Sequence, residues 1–299
     1  ELEQYLLQSL NMALGSMMQG ETSYTNSFTC KVTEEGFYFL PRLPAGYIID
    51  DDLYQKIFLI ASAALYPKFT LLKQNSAYFV PMDTDDIHTQ RALFFPWQEG
   101  ISERLVITDL DQFTSTLTHQ QIPIMKQLTL NYQNITSIAI AGNSGSGKSY
   151  MLTYLLSVLK PISELIIVDP KFDTPSRWAR IHDIAVIHPH QNRSKSDFLS
   201  EINENLSHCL QVIQQRQTIL YNDPDYQFEH LTIVIDEVLA LAEDVNKAIK
   251  DAFFSLLSQI ALLGRATKVH LLLVSQRFDH QTIPVSVTEQ LNVLIQTGN

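Results

Sequence analysis

Gly142-Asn143-Ser144-Gly145-Ser146-Gly147-Lys148-Ser149 fits the phosphate-binding pattern G-x-x-x-x-G-K-[ST] without a mismatch. Its chemistry follows from its residue types. Gly142, Gly145 and Gly147 permit backbone angles that a side chain would forbid, so successive N–H groups can turn inward around a phosphate. A helix starting at the end of the loop adds unsatisfied N–H groups and the positive end of its dipole. Lys148 is placed to reach β- and γ-phosphates, the Ser149 hydroxyl to ligate Mg2+, and Tyr150 to touch the nucleotide.

Three further groups belong with this loop. Asp236-Glu237 ends the apolar run Leu231 to Ile235. An aspartate there holds Mg2+ through its water shell, and an adjacent glutamate polarises the attacking water. The pair favours ATP hydrolysis over the kinases and GTPases in which an aspartate stands alone. Gln276, after the run Val269 to Val274, has the chemistry to contact a γ-phosphate. Arg265, in Gly264-Arg265-Ala266, is a candidate to stabilise phosphoryl charge in a neighbouring subunit's site. A plain surface or interface salt bridge is the competing role for it.

These residues need a scaffold that brings distant loops together, and the sequence supplies one. Ile135 to Ala141 is a short, β-branched apolar run that reads as a buried strand, and Ser149 to Lys160 reads as a helix stopped by Pro161. From about Gln127 such strands alternate with helices, the signature of a parallel α/β sheet. Strands are expected at Leu165–Val168, Ala185–Ile187, Leu231–Ile235, Val269–Val274 and Leu291–Ile295, and helices at Phe198–Tyr221 and Val245–Leu263. Residues 172–180 read as a loop. In it Arg177 and Arg180, with Lys171 just before, are local basic candidates for a DNA or subunit contact.

Residues 1–125 read as a separate, small α+β domain of unknown role, and 126–299 as the nucleotide-binding domain. The first part is expected to hold an amphipathic helix over 1–20, a hairpin over Phe28 to Leu40, a helix over Leu53 to Tyr66, and strands at Ser76–Pro81 and Arg91–Phe95. Asp50-Asp51-Asp52 reads as a helix cap rather than a metal site. Phe94, Phe95 and Trp97 read as core packing or an interdomain contact rather than a base-stacking platform. His188 and His190 lack further ligands at metal-binding spacing, and Cys209 sits on the apolar side of a helix, where it is inert.

Composition narrows the classes. The 299 residues are 45% apolar and 18% charged, with a formal charge of −11 and two cysteines, Cys30 and Cys209. That excludes a disulfide scaffold and a broadly basic nucleic-acid-binding surface. Residues 1–125 carry 15 acidic and 7 basic side chains and residues 126–299 carry 17 and 14, so any DNA contact must be local, through a few basic loops, or be supplied elsewhere in the full protein. The two cysteines suggest a reducing, cytoplasmic compartment, and no apolar run is long enough to span a membrane, so any membrane association is expected through a segment outside this chain. The first residue is Glu1, so trimming at the N-terminus is expected.

Five stretches in order resemble the motor domain of the FtsK/SpoIIIE DNA translocases of the FtsK–HerA superfamily: AGNSGSGKS (141–149), IIVDPK (166–171), the long helix through Arg216 to Asn222, TIVIDE (232–237) and LLGRATKVHLLLVSQR (262–277). The resemblance covers about residues 127–299 and extends to the coupling ATPases of Gram-positive conjugative elements. It implies a RecA-like fold, ATP with Mg2+, and a homo-oligomeric, hexameric ring that moves double-stranded DNA, with secretion-channel or relaxase partners. It also implies a motor that continues past Asn299, so a C-terminal truncation or a reduced member is expected. The alternative from another class is a nucleotide-dependent assembly protein with little turnover. A small-molecule kinase lacks an acceptor or lid signature here, and an ABC-type ATPase lacks its Leu-Ser-Gly-Gly-Gln-like stretch.

Overall fold

The computed structural model describes residues 1–16, 27–45, 48–74, 77–101, 103–118, 120–278 and 283–298. Its contacts divide the chain into two units, Glu1–Arg104 and Leu105–Asn299.

In the first unit, helix α1 spans Leu2–Ser16, so the remainder of the helix expected to residue 20 lies outside the described residues. Strands β1 (Phe28–Val32) and β2 (Gly36–Pro41) form the expected hairpin. Helix α2 (Asp51–Leu65) is capped by Asp50, whose carboxylate accepts the Leu53 N–H at 2.9 Å, the capping role read from the three aspartates. Strands β3 (Phe69–Leu71), β4 (Phe79–Pro81) and β5 (Arg91–Glu99) complete an antiparallel sheet of order β1-β2-β5-β3. Strand β4 pairs with the first residues of β5, and β3 with the last. Leu6, Leu10 and Leu14 of α1 and Ile57, Ala61 and Leu65 of α2 pack into one core with Phe28, Phe37, Phe39 and Phe95. Phe95 stacks on Phe37 and Tyr54, while Trp97 stacks on Phe69 and donates its indole N–H to Glu34 O, so both rings are core.

The second unit begins with helix α3 (Leu110–Ser115), the hairpin β6 (Gln121–Met125) and β7 (Leu128–Asn131), and a 3-10 turn at Tyr132–Asn134. Then follow β8 (Ser137–Ala141), α4 (Lys148–Leu159), β9 (Ser163–Val168), α5 (Thr174–Ile181), β10 (Val186–Ile187) and α6 (Lys195–Asn222). The chain continues through β11 (His230–Ile235), α7 (Val238–Leu241), α8 (Lys247–Thr267), β12 (Val269–Ser275), α9 (Val285–Thr288) and β13 (Val293–Gln296).

Six strands form one parallel sheet in the order β10-β9-β11-β12-β8-β13. Every residue of β11 and β12 is buried, as a parallel sheet covered on both faces requires. Alternate side chains go to opposite faces. Ile233, Ile235, Leu271 and Leu273 meet Ile213 of α6 and Phe253, Leu257 and Ile260 of α8. Val234, Leu272 and Val274 meet Leu152, Leu155 and Leu159 of α4 and Trp178 of α5. Each such aliphatic side chain stabilises the fold by about 2 kcal/mol relative to exposure. The mainly parallel α/β sheet expected from the sequence is thus the observed one, with a RecA-like strand order.

Two local readings change. Residues 174–181 are helix α5, not loop, with Pro175 in the first turn, where its missing N–H costs nothing. Gly264 does not end α8. A Cβ there would lie 2.1 Å from Val269 O, so glycine lets the chain double back beneath the helix into β12. Arg265 consequently sits in the last turn of α8.

Under the amino ends of the strands lies a buried polar network. The Tyr132 hydroxyl shares a hydrogen bond with Thr232 at 2.5 Å, Thr232 another with Ser163 at 2.6 Å, and His230 Nδ1 meets His270 Nε2 at 2.7 Å.

Candidate nucleotide site

Strand order decides what meets at the carboxyl edge of the sheet. Because β12 lies between β8 and β11, the ends of four neighbouring strands present the phosphate loop, Gln276, Asp236-Glu237 and the Asp169–Lys171 turn side by side. Ligands of open α/β sheets bind at this edge. One cleft there is lined by Ser144, Gly145, Gly147, Lys148, Ser149, Tyr150, Lys171, Asp173, Asp236, Glu237 and Gln276.

The loop's geometry follows from its glycines. Gly145 and Gly147 have φ of 77° and 97°, and Gly147 opens α4 with no side-chain cap, which leaves first-turn N–H groups for a ligand. Gly142 is needed for a different reason: a Cβ there would lie 2.3 Å from Thr297 Oγ1 and 2.6 Å from Thr297 O. Lys148 Nζ donates to Gly142 O at 2.6 Å and Asn143 O at 3.0 Å, so the ammonium is held over the loop by its own carbonyls. The Ser146 hydroxyl shares a 2.7 Å hydrogen bond with Thr297, while the Thr297 N–H and hydroxyl both donate to Ala141 O. Asn143 O and the Ser146 hydroxyl are thus engaged within the loop and its brace.

The acidic half is crowded. Asp236 is pushed up to about 6, first by burial and then by the charges of Glu237 and Asp169. Its Oδ1 accepts the N–H of Glu237 at 3.1 Å. Glu237 has φ 50° and is 8% exposed, a buried non-glycine residue in the left-handed region, which is strained backbone. Its Oε1 meets Lys171 Nζ at 2.6 Å. Ser149 and Asp236 share the cleft, and so crowded a set of carboxylates is one that a hard divalent cation would relieve. The donors present therefore fit Mg2+. Among the described residues no group of three or more His, Cys, Asp or Glu could hold a metal by itself, His188 and His190 included.

Two groups that the sequence did not point to hold the site's shape. Asp169, fully buried, accepts the N–H groups of Lys171, Asp173 and Ser176 at 3.0, 2.8 and 3.2 Å and the Ser176 hydroxyl at 2.6 Å. It thereby fixes the turn that leads into α5 and carries Lys171 to the cleft wall. Thr297 braces the loop from the edge strand. An Asp-Pro pair directly after an apolar run was the available signal for the first; nothing local signals the second. Arg265 is exposed and stands at the amino end of β12, the far end from Gln276, outside this cleft. Arg177 pairs with Asp173, and both cysteine thiols are buried and pushed up, to about 12 for Cys30 and about 11 for Cys209.

A parallel sheet with a glycine-rich loop and helix after one strand, and Asp-Glu after another, defines a P-loop nucleotide-binding domain of RecA-like fold. Its motif stretches are similar to those of FtsK/SpoIIIE-type ATPases. No family model matches the chain. Over 184 residues it is 22% identical to the FtsK domain-containing protein YdcQ of Bacillus subtilis (strain 168), a match covering 59% of this chain and 37% of that protein. The chain thus spans little more than a third of this relative's length. Among solved structures it is similar to the pCW3 conjugation coupling protein TcpA in its monomer form with ATPγS, at 15% identity and a TM-score of 0.47 over 97% of this chain and 82% of that one. It is also similar to the cytoplasmic domain of the type VII secretion ATPase EccC of Thermomonospora curvata, at 20% identity and a TM-score of 0.44 over 59% and 23% of the two chains. Among the described residues no helix is long and apolar enough to cross a membrane.

Proposed function

We propose that this chain is an ATP-hydrolysing motor of the FtsK/SpoIIIE type that binds and translocates double-stranded DNA in the transfer of a conjugative or mobile element. One observation carries the reading: Lys148, Ser149, Asp236, Glu237 and Gln276 line a single cleft at the carboxyl edge of the sheet. The loop N–H groups and Lys148 hold the β- and γ-phosphates. Ser149 and Asp236 would hold Mg2+, which when bound neutralises phosphate charge. Glu237 accepts a proton from water as the water oxygen bonds to the γ-phosphorus. The bond to the β–γ bridging oxygen breaks, giving ADP and inorganic phosphate. Gln276, exposed at the end of the intervening strand, reaches the γ-phosphate and reports its loss.

The DNA half of the proposal rests on the five family-like stretches and on the FtsK domain of the Bacillus relative. In a ring of identical copies, Arg265 would serve a neighbour's site, since its own lies beyond the far end of β12. Exposed Arg177 and Arg180 on α5 are the local cations for a phosphate backbone. Lys171 is engaged with Glu237 instead. Secretion-channel components or a relaxase would be the partners that give the translocated strand a destination.

The test is ATP turnover with and without double-stranded DNA, together with the size of the protein with and without ATP. DNA should stimulate turnover, and binding should weaken steeply with salt. Glu237→Gln should lower the rate by about 10²–10⁴-fold, the contribution of a positioned base. Lys148→Ala should abolish nucleotide binding. Equal rates with and without DNA, and no DNA binding, would sink the motor reading. Slow turnover with ATP-dependent assembly would favour the scaffold alternative.

A further inference from the structure

We propose that Lys171, beside Gln276, is a nucleotide-state sensor of this site: its ammonium holds Glu237 and transfers to the terminal phosphate of a bound triphosphate, so this residue links the state of the nucleotide to Glu237. The inference rests on the nucleotide reading above and adds a role for a residue outside the phosphate loop and the Asp-Glu pair.

The geometry supplies both halves of such an exchange. Lys171 Nζ lies 2.6 Å from Glu237 Oε1, and both residues line the cleft that holds Lys148 and Ser149. The strand order brings the two lysines in from different sides, Lys148 after β8 and Lys171 after β9, with β11 and β12 between. Lys148 Nζ lies over the loop carbonyls of Gly142 and Asn143, on the phosphate-loop side of the cleft. Lys171 therefore approaches from the side of Asp236 and Glu237, where the chain's last phosphate group would lie.

The two partners of the ion pair differ in freedom. Glu237 is fixed: its side chain is 10% exposed and its backbone sits at φ 50°. The Lys171 backbone is fixed too, by the Asp169 carboxylate, but its side chain is 56% exposed on a flexible four-carbon stem. The ammonium is thus the mobile member, carried by a rigid turn. Its hydrogen bond to Glu237, and then the charges of Glu237, Asp236 and Asp169, raise its affinity for a proton, so it stays charged and available to a phosphate. A diphosphate ends short of it, whereas a triphosphate adds the anion that competes with Glu237. While the ammonium engages Glu237, that oxygen cannot take a proton from water. The exchange frees the base only when a γ-phosphate is present.

Calorimetric titration with ATPγS and with ADP tests this on the wild-type chain and on Lys171→Met, Lys171→Arg, Glu237→Gln and the Glu237→Gln/Lys171→Met double variant. Lys171→Met should weaken ATPγS about tenfold, the loss of one charge-assisted contact, and leave ADP within about twofold. Lys171→Arg should restore most of the difference. Glu237→Gln removes the competing anion and should tighten ATPγS, and that gain should vanish in the double variant. Equal changes for both nucleotides in Lys171→Met, no change for either, or a gain that persists in the double variant would overturn the proposal. A wild-type chain that binds neither nucleotide overturns the proposed function and this inference together. Binding that is lost in Lys148→Ala and untouched in Lys171→Met overturns this inference alone.

Discussion

Replacing Gly142 by alanine tests whether the edge strand shapes the phosphate loop. A Cβ at position 142 would lie 2.3 Å from Thr297 Oγ1, 2.4 Å from Ser146 Oγ and 2.6 Å from Thr297 O, where ordinary contact begins at 3.4 Å. The two side-chain oxygens can rotate away. The Thr297 carbonyl cannot, because it belongs to a backbone tied to β8 by the Thr297 N–H to Ala141 O bond at 2.8 Å. The loop must therefore shift by somewhat under 1 Å against its brace. Overpacking of this kind costs about 1–3 kcal/mol of stability, or roughly 2–10 °C in a unit of this size. Its effect on chemistry is larger, since a misplacement near 1 Å lowers turnover by about 10²-fold. Steady-state ATP turnover and a thermal melt on the same preparation measure both. Thr297→Ala added to Gly142→Ala should restore little, because the offending carbonyl remains. Wild-type turnover in Gly142→Ala, or full rescue by Thr297→Ala, would refute the account.

Two further outcomes are expected. Burial, aided by the neighbouring cations Lys268 and Arg216, holds His230 below the ordinary histidine value of 6.5, and burial with His230 and Lys268 does the same to His270. The unfolded chain then binds protons that the native pair refuses, so this contribution is fully present above about pH 6.5 and is lost as the pH falls below it. Denaturant melts between pH 8 and 4.5 should show that loss, and His270→Gln should flatten it relative to wild type. Arg216 Nη1 donates to Glu229 O at 2.9 Å and Thr267 O at 2.7 Å, and the guanidinium lies 5.0 Å from the Phe228 ring. Arg216→Ala should cost about 2–3 kcal/mol in a denaturant melt, through an unpaired helix-end carbonyl and lost stacking, while ATP turnover per folded molecule is unchanged.

The parts of the site legible in the sequence are those whose residue types are dictated locally. A phosphate loop needs glycines where the backbone turns left and a lysine at the helix start, and an acidic pair directly after an apolar strand has few other uses. The sheet was legible for the same reason: buried parallel strands carry short apolar runs, and Ile138–Ala141, Leu165–Val168, Ile233–Ile235 and Leu271–Val274 are such runs in β8, β9, β11 and β12. The short elements over residues 105–125 lack such runs. They join the second unit because Ile122, with Leu117 and Ile124, packs into the core that also holds Leu152 and Leu155 of α4. That contact has no signature in a local pattern.

What stayed hidden depends on neighbours far apart in the chain. Lys171 looks like one more loop cation until β9 is paired with β11, which sets it against a glutamate 66 residues away. Thr297 reads as an ordinary strand end until β13 lies beside β8. Helix α5 was masked because its organising carboxylate, Asp169, sits at the end of the preceding strand, so the capping signal and the helix it serves are separated by a turn. Arg265 was misplaced by Gly264, which resembles a helix stop and is a packing requirement instead. For Lys171 and Thr297 the role is set by a partner that only the strand order brings near, whereas Asp169 and Gly264 act on chain a few residues further on, through a fold-back that no periodic pattern reports. The phosphate loop therefore marks the site, while the order β9-β11-β12-β8 sets which strand-end side chains line the same cleft.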